Sequence, residues 1–199
     1  MKDSLDISYS CMPRQRLESS HFSLVAVQPN HIELIRQWRN AQMDVLRQVS
    51  VITSEQQKDY YSKHIWSEMR SSQPKNILLT FLDGDKPIGY GGIVHIAWEH
   101  RRAEVSFLLD PSLNKTEDIY AGYFATFLDL LFVLAFDDLG LNRLFTETYV
   151  MRKHHISVLE NSGFLREGVL KHHIRINDQP VDSVIHGITS FNTINNNKN

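Results

Sequence analysis

The spacing of apolar and polar positions divides this chain into alternating strands and helices. Phe22 to Val27 (FSLVAV) reads as a strand. Pro29 sits where it can open a helix, and Ile32, Ile35 and Trp38 then recur at helical spacing. Thr53, followed three residues later by Gln56, fits a capping box that opens a second helix running to Met69. Asn76 to Leu82 (NILLTFL) and Pro87 to Trp98 (PIGYGGIVHIAW) read as strands joined by a hairpin turn at Asp83-Gly84-Asp85-Lys86. Gly89, Gly91 and Gly92 in the return strand mark a bulge or a close backbone approach. In the next strand, Ala103 to Asp110, Val105, Phe107 and Leu109 alternate with Glu104, Ser106 and Leu108. Pro111 ends it, and a polar loop leads into a long apolar helix that closes at Gly140.

Asn142 to Val150 is again a strand, with Arg143, Phe145, Glu147 and Tyr149 on one face and Leu144, Thr146 and Thr148 on the other. Arg152 to Asn161 is a short helix stopped by Ser162-Gly163. Phe164 to Ile176 and Val181 to Ser190 form a closing hairpin. Residues 1–20 read as a flexible arm and 191–199 as a disordered tail, leaving one domain over 21–190. This order predicts a mixed α/β fold with one mostly antiparallel sheet. Its one parallel crossover runs from Ala103 to Val150. The strand, loop and helix start within that crossover make a natural anion site, because helix N-terminal N–H groups point outward.

Composition narrows the class. At 199 residues, 42% hydrophobic and 22% charged, the chain has the make-up of one globular domain with a real core. A formal net charge of −2 gives no reason to expect nucleic acid. The single cysteine, Cys11, cannot staple the fold and favours a reducing, cytoplasmic setting. No signal peptide is visible before Phe22. The apolar run inside Phe124 to Phe136 is broken by Thr126 and Asp129, and reads as a buried helix rather than a membrane span. Ten histidines invite a metal, but His154-His155 and His172-His173 are adjacent pairs whose members point apart. No cluster has ligand spacing, so no metal is expected.

Three stretches, PIGYGGIVHIAWEHRRAEVSFLLDP, LAFDDLGLNRLFTETYV and ISVLENSGFLREGVLKHHI, together with Trp38-Arg39-Asn40, resemble the GNAT superfamily of acyl-CoA-dependent N-acetyltransferases. The likeness spans Phe22 to Thr189, and is greatest to the branch holding ribosomal-protein N-terminal and nucleotide-amino-sugar acetyltransferases. It implies acetyl-CoA as cosubstrate, in a V-shaped split between strands 103–110 and 142–150, with helices on both faces of the sheet. Backbone groups of Phe107, Leu108 and Leu109 would pair with the pantetheine arm. Asn114, Lys115, Gly122 and Tyr123 would hold the pyrophosphate, and His154 stands where the family commonly has a cofactor-facing asparagine. Only Gly122 matches the family's glycine loop, and the tyrosine often used as general acid falls at Leu159.

Acetyl transfer to an amine needs a proton acceptor for the amine, a donor for the thioester oxygen and a proton or dipole for the leaving thiolate. Glu104 is the first candidate base, with an ion pair to Arg101 or Arg102 as its structural alternative. His95 is the second base candidate, and Tyr149 the phenol for the acid role unless it merely packs. Trp38, Arg39, Arg47 and His172 frame the acceptor side, where Arg39 and Arg47 suit an anionic acceptor such as a nucleotide sugar. The expected acceptor is therefore a small-molecule amine or nucleotide amino sugar. A protein N-terminus, or a non-catalytic acyl-CoA-binding module with a degenerate loop, is the alternative. An exposed edge on the last hairpin would permit a homodimer.

Overall fold

The computed structural model describes residues 7–114 and 116–190. Strands β1 (Arg16–Ser19) and β2 (Phe22–Ala26) form a hairpin that precedes helices α1 (Ile32–Ala41) and α2 (Ser54–Tyr60). The meander β3 (Ile77–Asp83), β4 (Lys86–Ala97) and β5 (Arg102–Leu109) leads to α3 (Glu117–Phe132). Then come β6 (Arg143–Tyr149), α4 (Lys153–Asn161), β7 (Leu165–Ile176) and β8 (Gln179–Thr189). All eight strands join one sheet in the order β1-β2-β3-β4-β5-β6-β8-β7, antiparallel except where β5 meets β6.

The expected flexible arm over 1–20 fails for its described part. Tyr9 is fully buried and its phenol oxygen accepts the Leu78 N–H at 2.9 Å, while Met12 and Leu17 enter the core. These three apolar residues follow neither a helical nor an alternating period, so the pattern hid them. Residues 1–6 and 191–199 lie outside the described residues. The second helix is also shorter than its pattern. The capping box at Thr53 and Gln56 forms, but α2 ends at Tyr60 and continues as a π turn and a 3₁₀ turn. These turns still bury Tyr61, Ile65 and Met69, so the apolar spacing of four survives the change of helix type.

The glycines of β4 mark a close approach. A Cβ on Gly91 would lie 2.1 Å from the Ser106 carbonyl oxygen and 2.9 Å from the Phe127 ring, and Gly92 sits at φ +137°. Helix α3 packs directly onto this flat stretch. Its helical run to Asp138 is long and apolar enough to cross a membrane, contrary to the length argument made from the sequence. Phe124, Phe127, Leu128, Leu131 and Leu134 are all buried, which makes it this fold's core helix.

The parallel seam is short. Arg102 pairs with Arg143, Ala103 with Leu144 and Glu104 with Phe145, and there the ladder stops. At its closed end Arg101, at φ 51°, accepts the N–H groups of Asn142 (2.6 Å) and Arg143 (3.2 Å) on its carbonyl, and its guanidinium donates to the Gly140 carbonyl at 2.7 Å. Beyond Glu104, β5 and β6 diverge, leaving a V-shaped split.

Candidate active site

Two adjoining cavities fill the split. One, of about 400 Å³, is lined by His95, Glu104, Ser106, Glu147 and Tyr149 from the strands and by Arg39, Arg47 and Tyr60 from the helical layer. The other, of about 840 Å³, is bounded by Phe107, Leu108, Leu109, Asn114, Thr116, Glu117, Tyr120 and the segment Met151–His155. Phe107, Arg152 and His155 line both.

Glu104 stands on the last rung of the seam, its side chain only 12% exposed. One carboxylate oxygen accepts from Arg47 Nη2 at 2.9 Å and the other lies 2.8 Å from His95 Nδ1. Arg101 and Arg102 therefore do not pair with it, as the sequence allowed. The same Arg47 nitrogen reaches Glu147 Oε2 at 3.0 Å, and His173 Nε2 stands 3.7 Å from the other Glu147 oxygen. A bulge in β4 between Val94 and Ala97, with His95 at φ 50°, aims the imidazole at Glu104, while its side chain stays 66% exposed. Burial pushes the Tyr149 phenol above its usual range, and the neighbouring Glu147 charge adds to this. It is therefore fully protonated near neutral pH and able to donate.

The residues assigned from sequence divide clearly. Glu104, Tyr149, His95, Arg39 and Arg47 meet at the first cavity. Phe107, Leu108, Leu109, Asn114 and His154 meet at the second. Trp38 does not reach the site, because with Ile32 and Ile35 it forms the buried stripe of α1. His172 does not line it either. It sits at φ 50° in a bulge of β7, and the shifted alternation turns His173 toward Glu147 instead. Gly122 and Tyr123 also fall away from the groove. Since α3 already begins at Glu117, they belong to its second turn, where Gly122 is exposed and Tyr123 packs edge-on to Phe22 and Phe81. Lys115 lies outside the described residues.

Several functional positions were missed. Thr116, Tyr120 and Phe124, four apart, form the α3 face toward the split, and that spacing was readable. The Tyr120 phenol, pushed up to about 12 chiefly by burial, donates to His155 Nδ1 at 2.6 Å. Burial first, and Arg152 next, hold His155 far below the usual histidine range, so its imidazole is neutral and Nδ1 can accept. Arg152 and Lys153 supply the groove's cations, from a basic run, Met151-Arg152-Lys153-His154, that the composition alone could have flagged. His154 donates from Nε2 to the Glu117 carbonyl at 2.6 Å, tying α4 to the start of α3.

These features fit a long, anionic, amide-bearing cosubstrate. Beyond Glu104, β5 and β6 present strand edges that do not pair with each other, and the buried Thr146 hydroxyl in the cleft has no hydrogen-bond partner among the described residues. Gln42 Nε2 already donates to the Leu109 carbonyl at 2.9 Å, which trims that edge. Glu117 and Asp118 occupy the first turn of α3, so among the described residues the positive charge for phosphates comes from the start of α4.

A mixed sheet split at one parallel seam, with an acid-base cluster at the apex and a cationic groove beyond it, defines an acyl-group transferase. The family described as acetyltransferase (GNAT) domain matches residues 24–185, and the chain belongs to that family of acetyltransferases. No curated protein matches the sequence. Among solved structures it is similar to spermidine N-acetyltransferase from Vibrio cholerae in complex with CoA and spermine. That match has 20% identity and a TM-score of 0.78, and covers 88% of this chain and 99% of that one. A dodecameric structure of spermidine N-acetyltransferase from Vibrio cholerae matches at 20% identity with TM-score 0.74, covering 89% and 99%. A structure described as a putative acetyltransferase matches at 19% with TM-score 0.70, covering 92% and 90%. These likenesses support the fold reading.

Proposed function

We propose that this acetyltransferase moves an acetyl group from acetyl-CoA to a primary amine on a small molecule, by direct attack with both substrates bound. The observation that carries this reading is Glu104, placed at the apex of the split and flanked by His95. Spermine in the CoA complex of the Vibrio cholerae relative supports a cationic amine as acceptor. An ammonium group suits the Glu104–Glu147 carboxylates, which already share one cation in Arg47.

Acetyl-CoA supplies the activated acetyl group as a thioester. The amine's proton passes to Glu104, and the exposed His95 relays it to water. An N–C bond forms as the C–S bond breaks. The sulfur leaves with that bond's electron pair and takes a proton from the Tyr149 phenol. Phe107 and the Tyr120–His155 pair wall the junction between the cavities and exclude water from the thioester. The lone cysteine, Cys11, half-buried with its thiol pushed up by burial, supports a reducing, cytoplasmic setting.

The test is thiol release from acetyl-CoA across a panel of small amines, for the native protein and Glu104→Gln. We expect turnover, and a loss of about 10² or more in kcat in the variant with CoA affinity retained. Unchanged kcat in Glu104→Gln overturns the role of Glu104. Tight CoA binding with no turnover on any amine overturns the enzyme reading in favour of an acyl-CoA-binding module.

A further inference from the structure

A third chamber, of about 430 Å³, opens behind the acceptor cavity, between α1 and α2. Arg39, Tyr60 and Tyr90 line both spaces, so the two adjoin, and Tyr61, Gln56 and Val51 complete the far wall. Its charge is one-sided. Arg39 lines it and no aspartate or glutamate does. Arg36, three residues earlier on α1, is bound by Glu33, and Arg47 by Glu104 and Glu147. The half-buried Arg39 guanidinium makes no hydrogen bond or ion pair with any described residue. Tyr61 is 1% exposed and its phenol lies beside that of Tyr90; burial holds both phenols above their usual range, so both stay protonated. A guanidinium without an acidic partner and two protonated phenols thus share one chamber wall, a donor set that an oxyanion would complete.

We propose that this chamber receives the far end of the acceptor, and that this end carries an oxyanion, either a carboxylate or a phosphate. The inference rests on the acetyl-transfer reading for what happens at the near end. The acceptor then spans two poles, with its amine at Glu104 and Glu147 and its anion at Arg39. A guanidinium fork matches the paired oxygens of a carboxylate or phosphate, and the tyrosine phenols add neutral donors and flat apolar walls. A simple polyamine fits the near pole only, because its distal ammonium meets Arg39 with no counter-charge in the chamber.

The experiment compares three acceptors of similar length, 1,4-diaminobutane, 4-aminobutyrate and 3-aminopropyl phosphate, in the native protein, Arg39→Gln and Arg39→Lys. In parallel, phenyl phosphate is titrated calorimetrically into each protein with CoA present in excess to occupy the groove at Arg152 and Lys153, which reads the chamber without turnover. We expect kcat/KM for at least one oxyanion-bearing amine to exceed that of the diamine by about tenfold or more. The better of the two identifies carboxylate or phosphate. In Arg39→Gln that ratio collapses toward one, with Arg39→Lys intermediate, and phenyl phosphate binding is lost. Equal or better use of the diamine by the native protein overturns the inference, as does phenyl phosphate binding that survives Arg39→Gln. If no amine is acetylated while phenyl phosphate binds through Arg39, the chamber assignment stands and the acetyl-transfer reading is the one that fails.

Discussion

Replacing Arg47 with methionine removes the cation that Glu104 and Glu147 share. The same nitrogen lies 2.9 Å from one carboxylate oxygen and 3.0 Å from the other, so those oxygens are within about 6 Å of each other. At an effective dielectric of about 20, two unit charges at that separation repel by roughly 3 kcal/mol. Arg47 is 48% exposed, so water already screens the site and the net penalty in the variant falls to about 1 kcal/mol. An incoming ammonium must displace Arg47 before it can sit between the carboxylates. Each charge-assisted bond is worth about 1.5–3 kcal/mol when buried. With the freed guanidinium rehydrated at this half-exposed position, displacement costs about 1 kcal/mol. Arg47→Met therefore lowers KM for the amine about fivefold, with kcat within about threefold. The assay is steady-state thiol release with the amine varied at saturating acetyl-CoA, repeated at high salt, where the difference narrows. Thermal melting falls by about 2–4 °C. A KM that rises instead refutes the reasoning, because Arg47 would then be gripping the acceptor, as its residue type alone had implied.

Gly122→Trp, drawn from the one match to the family's glycine loop, leaves CoA affinity unchanged within about twofold, since a Cβ there meets nothing within 4 Å. A large loss by calorimetry would return that turn of α3 to the cofactor site. Gly91→Ala forces a methyl against the Ser106 carbonyl and Phe127, and destabilises the fold by about 3 kcal/mol, a melting drop of roughly 6–12 °C. A drop under about 2 °C would mean that β4 and β5 part easily. His155 is held neutral in the fold, while in the unfolded chain it titrates near 6.5. Below that pH the unfolded chain takes up a proton that the fold refuses. Stability therefore falls with decreasing pH by up to about 1.4 kcal/mol per unit until the folded value is reached. His31, also lowered by burial, adds to the decline with the same sign. Urea midpoints between pH 7.5 and 5 should decline less in His155→Gln than in the native protein, and parallel curves would disprove the assignment.

Much of the sheet was legible because β2 to β6 alternate apolar and polar positions, or run apolar throughout where both faces are buried. The Asp83-Gly84 turn and the Thr53 capping box were each written in a few adjacent residues and form as read. What escaped depends on contacts made at a distance. Tyr9 is ordered by the Leu78 backbone, sixty-nine positions away, and nothing near it in the chain announces this. His172 and His173 exchange roles because of a bulge, which periodicity cannot foresee. Arg47 looked like an anion holder by type, but its function follows from two carboxylates on different strands, brought together only by the seam. Gly122 resembled part of a cofactor loop, yet α3 starts at a threonine cap that fixes the turn on which each residue falls.

The clamp at Arg101 sets the site's dimensions from outside it. Three rungs are too few to hold a register by themselves, and a slip of two residues would keep every side chain on its proper face. The Arg101 carbonyl, engaged by two successive amides, and its guanidinium, anchored on Gly140, fix the zero point from which both strands are counted. Glu104 lies three residues beyond that origin, about 10 Å along the strand. A residue that touches neither cavity thus serves as the datum for the distance between Glu104 and Glu147. The spacing of the two carboxylates can drift, in this chain or in an engineered variant, through changes at a loop where no substrate ever binds.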